Sequence, residues 1–170
     1  MLFQSIDDSL HCCSNPIRFT ATQPENVMSR IVINELEPQA YAALYGVEAY
    51  LDDSSLSAEL RALLKLRASQ INGCSFCINL HQTEIQQLGG STARIDALSD
   101  WEESGLFSEA EQAALAATES LTLVTIAGLP EDIYQNLLRY FSENQVAQLF
   151  VLVATINAWN RLGRAMKSPG

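Results

Sequence analysis

Three observations on this sequence predict an all-α domain. No stretch shows the alternation of apolar and polar residues that a half-buried strand requires. Apolar residues recur instead at helical spacings, and the periodic stretches are opened by Ser or Pro and closed by Gly, the residues that start and stop helices. Hydrophobic residues make up 48% of the 170 positions, enough for one domain with a full core and no disulfide framework.

Residues 1–27 stand apart, because Ser5, Ser14, Asn15, Pro16, Thr20, Thr22 and Pro24 interrupt any apolar period. They read as an appended N-terminal arm, with Met28 an alternative start and residues 28–170 the helical domain. There Pro38, suited to a first turn that needs no N–H, opens a helix to about Leu51. A second helix, from about Ser57 to Ile71, turns Leu60, Leu63, Leu64 and Leu66 inward and stops at Asn72-Gly73, where Gly73 suits a left-handed cap. A third runs from about Cys74 to Leu88 and ends at Gly89-Gly90. Ser91 caps a short helix to about Leu98. Ser108-Glu109-Ala110-Glu111 is a capping box opening an Ala-rich helix to about Leu123, and Pro130 begins another reaching Tyr140. Ser142-Glu143-Asn144-Gln145 repeats the box in its Gln form. The helix it opens is the most apolar, carrying Val146, Leu149, Phe150, Val153 and Ile156 before Trp159, and is expected to be central or subunit-facing. The sum is a bundle of about six to seven helices.

Charge narrows the function. Twenty acidic residues against ten basic ones give a net charge of −10, which repels phosphate backbones and anionic membrane surfaces, so neither nucleic acid nor a membrane is an expected partner. Asp7 and Asp8 stand where a signal peptide would be apolar. The longest apolar stretch, Val146 to Ile156, has 11 residues including Gln148, too few to span a bilayer. The reading is a cytoplasmic protein with its thiols reduced at rest.

The chemistry concentrates in Cys74-Ser75-Phe76-Cys77-Ile78-Asn79-Leu80-His81. On a helix the two thiols and the imidazole fall within roughly 60° of arc, and residues at i and i+3 lie close enough for a disulfide. A redox thiol acts as the thiolate. Unpaired N–H groups of the first turn and the helix dipole favour that anion near both cysteines. His81, one turn beyond Cys77, can take the thiol proton or hold the thiolate as imidazolium. His81 favours Cys77 as the nucleophile, whereas dipole position favours Cys74, and spacing does not settle the order. Two other readings compete. A zinc site needs about four ligands, of which this helix offers at most three, and His11-Cys12-Cys13 in the arm bites poorly. Small buried core cysteines are the second, against which His81 and the adjacent cap both argue.

The run Leu66-Arg67-Ala68-Ser69-Gln70-Ile71-Asn72-Gly73-Cys74-Ser75-Phe76-Cys77-Ile78-Asn79-Leu80-His81 resembles the core motif of the carboxymuconolactone decarboxylase family, in its alkylhydroperoxidase D-like branch. Ile156-Asn157-Ala158-Trp159-Asn160-Arg161 resembles the closing signature of the same branch. The resemblance implies an all-helical homo-oligomer, trimeric or hexameric, that acts as a hydroperoxide reductase without cofactor or metal. It implies that Cys77 attacks the hydroperoxide, that Cys74 condenses with the resulting sulfenic acid, and that His81 belongs to the proton relay. A thiol or dithiol protein resets the disulfide. One departure stands out: the family pattern places a glutamate twelve residues before the first cysteine, and here that residue is Ala62. Glu59, one turn earlier, either takes the vacant role or is a first-turn acid complementing the helix dipole.

Smaller expectations complete the reading. Lys65 and Arg67 either lower a thiol pKa or, as is commoner on an amphipathic helix, face solvent; Gln70 and Asn72 can hydrogen-bond across the helix break, with capping the simpler expectation for Asn72. Trp101 and Trp159 should be packing anchors, with Tyr41 and Tyr45 sharing a helix face.

Overall fold

The computed structural model describes residues 30–166, and the expected N-terminal arm, with His11, Cys12 and Cys13, lies outside them. Every described element is helical. In chain order they are α1 (Ile33–Leu36), α2 (Pro38–Asp52), α3 (Ala58–Asn72), α4 (Ser75–Gln87), α5 (Thr92–Asp96), a 3-10 turn (Ala97–Asp100), α6 (Trp101–Ser104), α7 (Glu109–Thr122), α8 (Val124–Ala127), α9 (Glu131–Leu137) and α10 (Glu143–Met166).

The starts follow local chemistry. Pro38 occupies the first turn of α2. Ser57 Oγ accepts the Leu60 N–H at 3.2 Å at the head of α3, and Ser108 and Glu111 form the reciprocal box at α7. Ser142 and Gln145 do the same before α10, each side chain accepting the other's backbone N–H. Such a cap is worth about 1 kcal/mol.

Helix α3 is the hub, packed by α4, α7 and α10. Its Leu60, Leu63, Leu64 and Leu66 are all buried, as the periodicity predicts, and they join Leu51, Leu98, Leu115, Leu149, Leu152 and Val153 in one core. α10, 24 residues long and thus about 36 Å at 1.5 Å per residue, crosses the molecule and touches α2, α3, α4 and α7. Gln148, the polar residue in its apolar stretch, accepts from Ser55 N–H and Oγ at 3.1 and 2.7 Å. Trp101 is buried with its indole N–H on Glu119 Oε1 at 2.9 Å. Trp159 packs against Tyr41 and Tyr45, with ring centroids 4.9 and 5.2 Å away. No helix among the described residues is long and apolar enough to cross a membrane.

Three short helices, α1, α6 and α8, were not expected from periodicity. Four residues each are too few to display a 3.6-residue repeat.

Candidate active site

The junction between α3 and α4 fixes the cysteines. Gly73 sits at φ 64°, in the left-handed region, and its N–H donates to the Gln70 carbonyl while that of Cys74 donates to Ser69, both at 3.1 Å. These two bonds close α3 and turn the chain straight into α4. Cys74 is the N-cap of α4, its carbonyl accepting the Ile78 N–H at 2.9 Å. Cys77 follows in the first turn. The Cα atoms are 5.4 Å apart and the sulfurs are joined as a disulfide. Both cysteines are buried, at 3% and 5% exposure.

α10 forms the roof of the pair. A Cβ on Gly163 would lie 3.3 Å from Cys74 Sγ and 3.9 Å from Cys77 Sγ, so the missing side chain lets the helix backbone approach the sulfurs. Two turns of that helix also hold the cysteine loop. Asn72 Nδ2 donates to Asn157 Oδ1 at 3.0 Å and Asn160 Oδ1 at 2.9 Å, and Arg164 donates to the Asn72 carbonyl. Asn160 Nδ2 in turn donates to Ser69 Oγ at 3.0 Å. Asn72, expected as a cap, is therefore a clasp between helices: the Gly73 amide bonds already close α3, leaving its side chain free to reach α10.

His81 is buried one turn beyond Cys77 on α4, and its Nδ1 lies 2.8 Å from Glu84 Oε2. Burial pushes the Glu84 carboxyl up. The hydrogen bond and charge of His81, with the charges of Lys65 and Arg61, outweigh burial and hold the group below its ordinary value. Lys65, expected at the surface, is buried at 6% exposure and bonds Glu48 Oε2 at 2.6 Å, while Glu48 Oε1 accepts the Trp159 indole N–H at 2.9 Å. Arg67 is likewise drawn inward, onto Glu119 Oε1 at 2.6 Å. Both cations leave the solvent face because a carboxylate on a neighbouring helix waits for each.

The structure thus places Cys74, Cys77 and His81 along the first two turns of α4 and Glu59 elsewhere. Glu59 lies in the first turn of α3, its carboxylate bound to Arg94, which also holds Glu111. Ala62 has no exposed surface. Glu84 is the carboxylate that sequence reasoning missed, although an acid three residues after His81 was a visible signal. Glu48 gave none, since it meets Lys65 across two helices. The zinc reading rests on His11, Cys12 and Cys13, outside the described residues. Within them, no group of three or more His, Cys, Asp or Glu side chains could hold a metal ion.

Comparison with known proteins places the chain among relatives of this architecture. The model of the carboxymuconolactone decarboxylase family matches residues 37–120. The uncharacterized protein YdfG of Bacillus subtilis is 34% identical over 137 residues, spanning 81% of this chain and 93% of that protein. A crystal structure of a protein of unknown function from Agrobacterium tumefaciens, provisionally named antioxidant defence protein AhpD, superposes with a TM-score of 0.79 at 34% identity. It spans 81% of this chain and 94% of that one. An uncharacterized peroxidase-related protein from Silicibacter shares the fold at 22% identity, with a TM-score of 0.66 over 78% of this chain and 69% of that one.

Proposed function

We propose, from the premise that this chain belongs to the carboxymuconolactone decarboxylase family, that it is a thiol-dependent hydroperoxide reductase working through Cys77, Cys74 and His81. One observation carries the reading: two sulfurs within bonding reach sit at the start of a helix, with a buried imidazole one turn further along that helix.

The reaction proceeds from the reduced pair. His81 accepts the Cys77 proton, and the first-turn N–H groups of α4 stabilise the thiolate. The thiolate attacks the nearer peroxide oxygen, an S–O bond forms as the O–O bond breaks, and the departing alkoxide takes the proton back from His81 to leave as ROH. Cys74 then attacks the Cys77 sulfenic acid, water leaves, and the disulfide forms before further oxidation. A dithiol protein returns two electrons and two protons by exchange through a mixed disulfide. The proposed assembly is a homo-oligomer in the cytoplasm.

Cys77→Ser is expected to abolish hydroperoxide consumption with a dithiol donor, read by loss of peroxide. Unchanged consumption would remove this site from the reaction. A second reading, a protein disulfide oxidoreductase that never meets peroxide, is favoured by one observation, the alanine at buried position 62. Single-turnover rates with an organic hydroperoxide and with an oxidised protein disulfide separate the two.

A further inference from the structure

A relay imidazole must present one defined nitrogen to its thiol, and a neutral ring can carry its proton on either. In the family pattern a carboxylate twelve residues before the first cysteine serves the relay. Here Ala62 offers only a buried methyl group, so whatever orients His81 must come from another position.

Glu84 is the group that faces it. Its Oε2 is 2.8 Å from His81 Nδ1, one turn along the same helix. A carboxylate that is ionised can only accept a hydrogen bond, so the hydrogen of this contact resides on Nδ1. That leaves Nε2 as the nitrogen with a lone pair for proton exchange. The hydrogen bond and charge of His81, with the charges of Lys65 and Arg61, favour the ionised carboxylate. From α3, Lys65 and Arg61 act on Glu84, and Lys65 is in turn anchored by Glu48 of α2 at 2.6 Å. From α10, Arg161 donates to the carbonyl and side chain of Asn157 and Arg164 to the Asn72 carbonyl, so both lie at the cysteine end of the site.

We propose that Glu84 is the positioning residue of this site, holding His81 in the Nδ1–H form so that Nε2 exchanges its proton with Cys77. The proposal rests on the hydroperoxide reductase reading for the reaction it serves. The ring takes the Cys77 proton at Nε2, becomes imidazolium with both nitrogens protonated, and returns that same proton to the leaving alkoxide. Glu84 gains and loses nothing.

The test uses the full chain, reduced and labelled with 15N at histidine, with the His81 resonances identified by their loss in His81→Gln. In the wild type the ring nitrogens should report the Nδ1–H tautomer. Glu84→Ala should yield a mixture of tautomers and a fall in kcat of roughly 10-fold or more with KM little changed. Glu84→Asp should restore the tautomer and part of the rate. The proposal is overturned if Glu84→Ala retains a single Nδ1–H tautomer, or if its rate stays within twofold of wild type. The tautomer is read without peroxide. A wild type that consumes no hydroperoxide would therefore sink the functional reading while the NMR result still decides the role of Glu84.

Discussion

Lys65 and Glu84 are single side chains whose surroundings decide what the site can do. A buried ammonium is tolerated only when paired, and Lys65 has Glu48 at 2.6 Å. Its charge reaches Glu84 as well, where it joins Arg61 and His81 in overcoming the penalty of burial. A carboxyl held below its ordinary value contributes stability that is complete above that ordinary value of 4.5 and fades as pH falls through the lowered folded value. Glu84→Gln should therefore reduce the melting temperature most above about pH 4.5, with the difference from wild type shrinking on further acidification. Thermal melts from pH 3 to 7 check this, and a gap that widens toward acid would contradict it. The pairing of Lys65 with Glu48 was not legible in the sequence. Periodicity tells which face of a helix a residue occupies, and Lys65 was placed at the surface because amphipathic lysines usually snorkel there. Its ion pair joins helices whose packing no local pattern encodes. His81 and Glu84 were both visible at i,i+3 spacing, but only the fold brings the two side chains to 2.8 Å.

At the level of elements, the turn from α3 into α4 and the roof of α10 determine where the sulfurs stand. Gly73 at φ 64° is the pivot. Gly73→Ala would place a residue with a Cβ in the left-handed region, a cost of about 1–2 kcal/mol. It would also set that Cβ 2.7 Å from Arg164 Nη1, displacing the guanidinium from the Asn72 carbonyl. The expected outcome is a lower melting temperature together with slower disulfide formation between Cys74 and Cys77, read by thiol titration after a peroxide pulse. Wild-type rates at lowered stability would show that the pivot serves folding alone. Much of this level was readable beforehand. Ser57, Ser108, Ser142 and Gly73 mark helix ends by chemistry that acts within four residues, and the structure puts each where the sequence expects it. The role of Gly163 was not readable, because a helical glycine signals a close approach only once the neighbouring helix is in place. The same holds for Asn157 and Asn160, which the closing signature singled out without saying that they clasp Asn72.

Across the molecule, one helix from the early part of the chain and one from its end meet around the cysteine pair, so the site is assembled by the whole fold. The fold class followed from periodicity and caps because helices are built from local contacts. How the helices associate depends on contacts between residues far apart in sequence, such as those that pack α10 on α3. Large apolar residues remain exposed on α2, at Tyr45 and Tyr50, and on α8, at Val124 and Ile126. Light scattering of the purified chain should give a mass that is a multiple of 18.7 kDa, three or six copies by the proposed assembly. A monomer at micromolar concentration would contradict it. The central claim is that a Cys77 thiolate reduces hydroperoxide and hands its oxidation to Cys74. Its most direct test is to treat reduced Cys74→Ser with one equivalent of organic hydroperoxide, trap with a dimedone-type reagent, and locate the adduct by mass spectrometry. The account predicts one adduct, on Cys77, with one equivalent of alcohol released; no adduct on Cys77 while the wild type still turns over would contradict it.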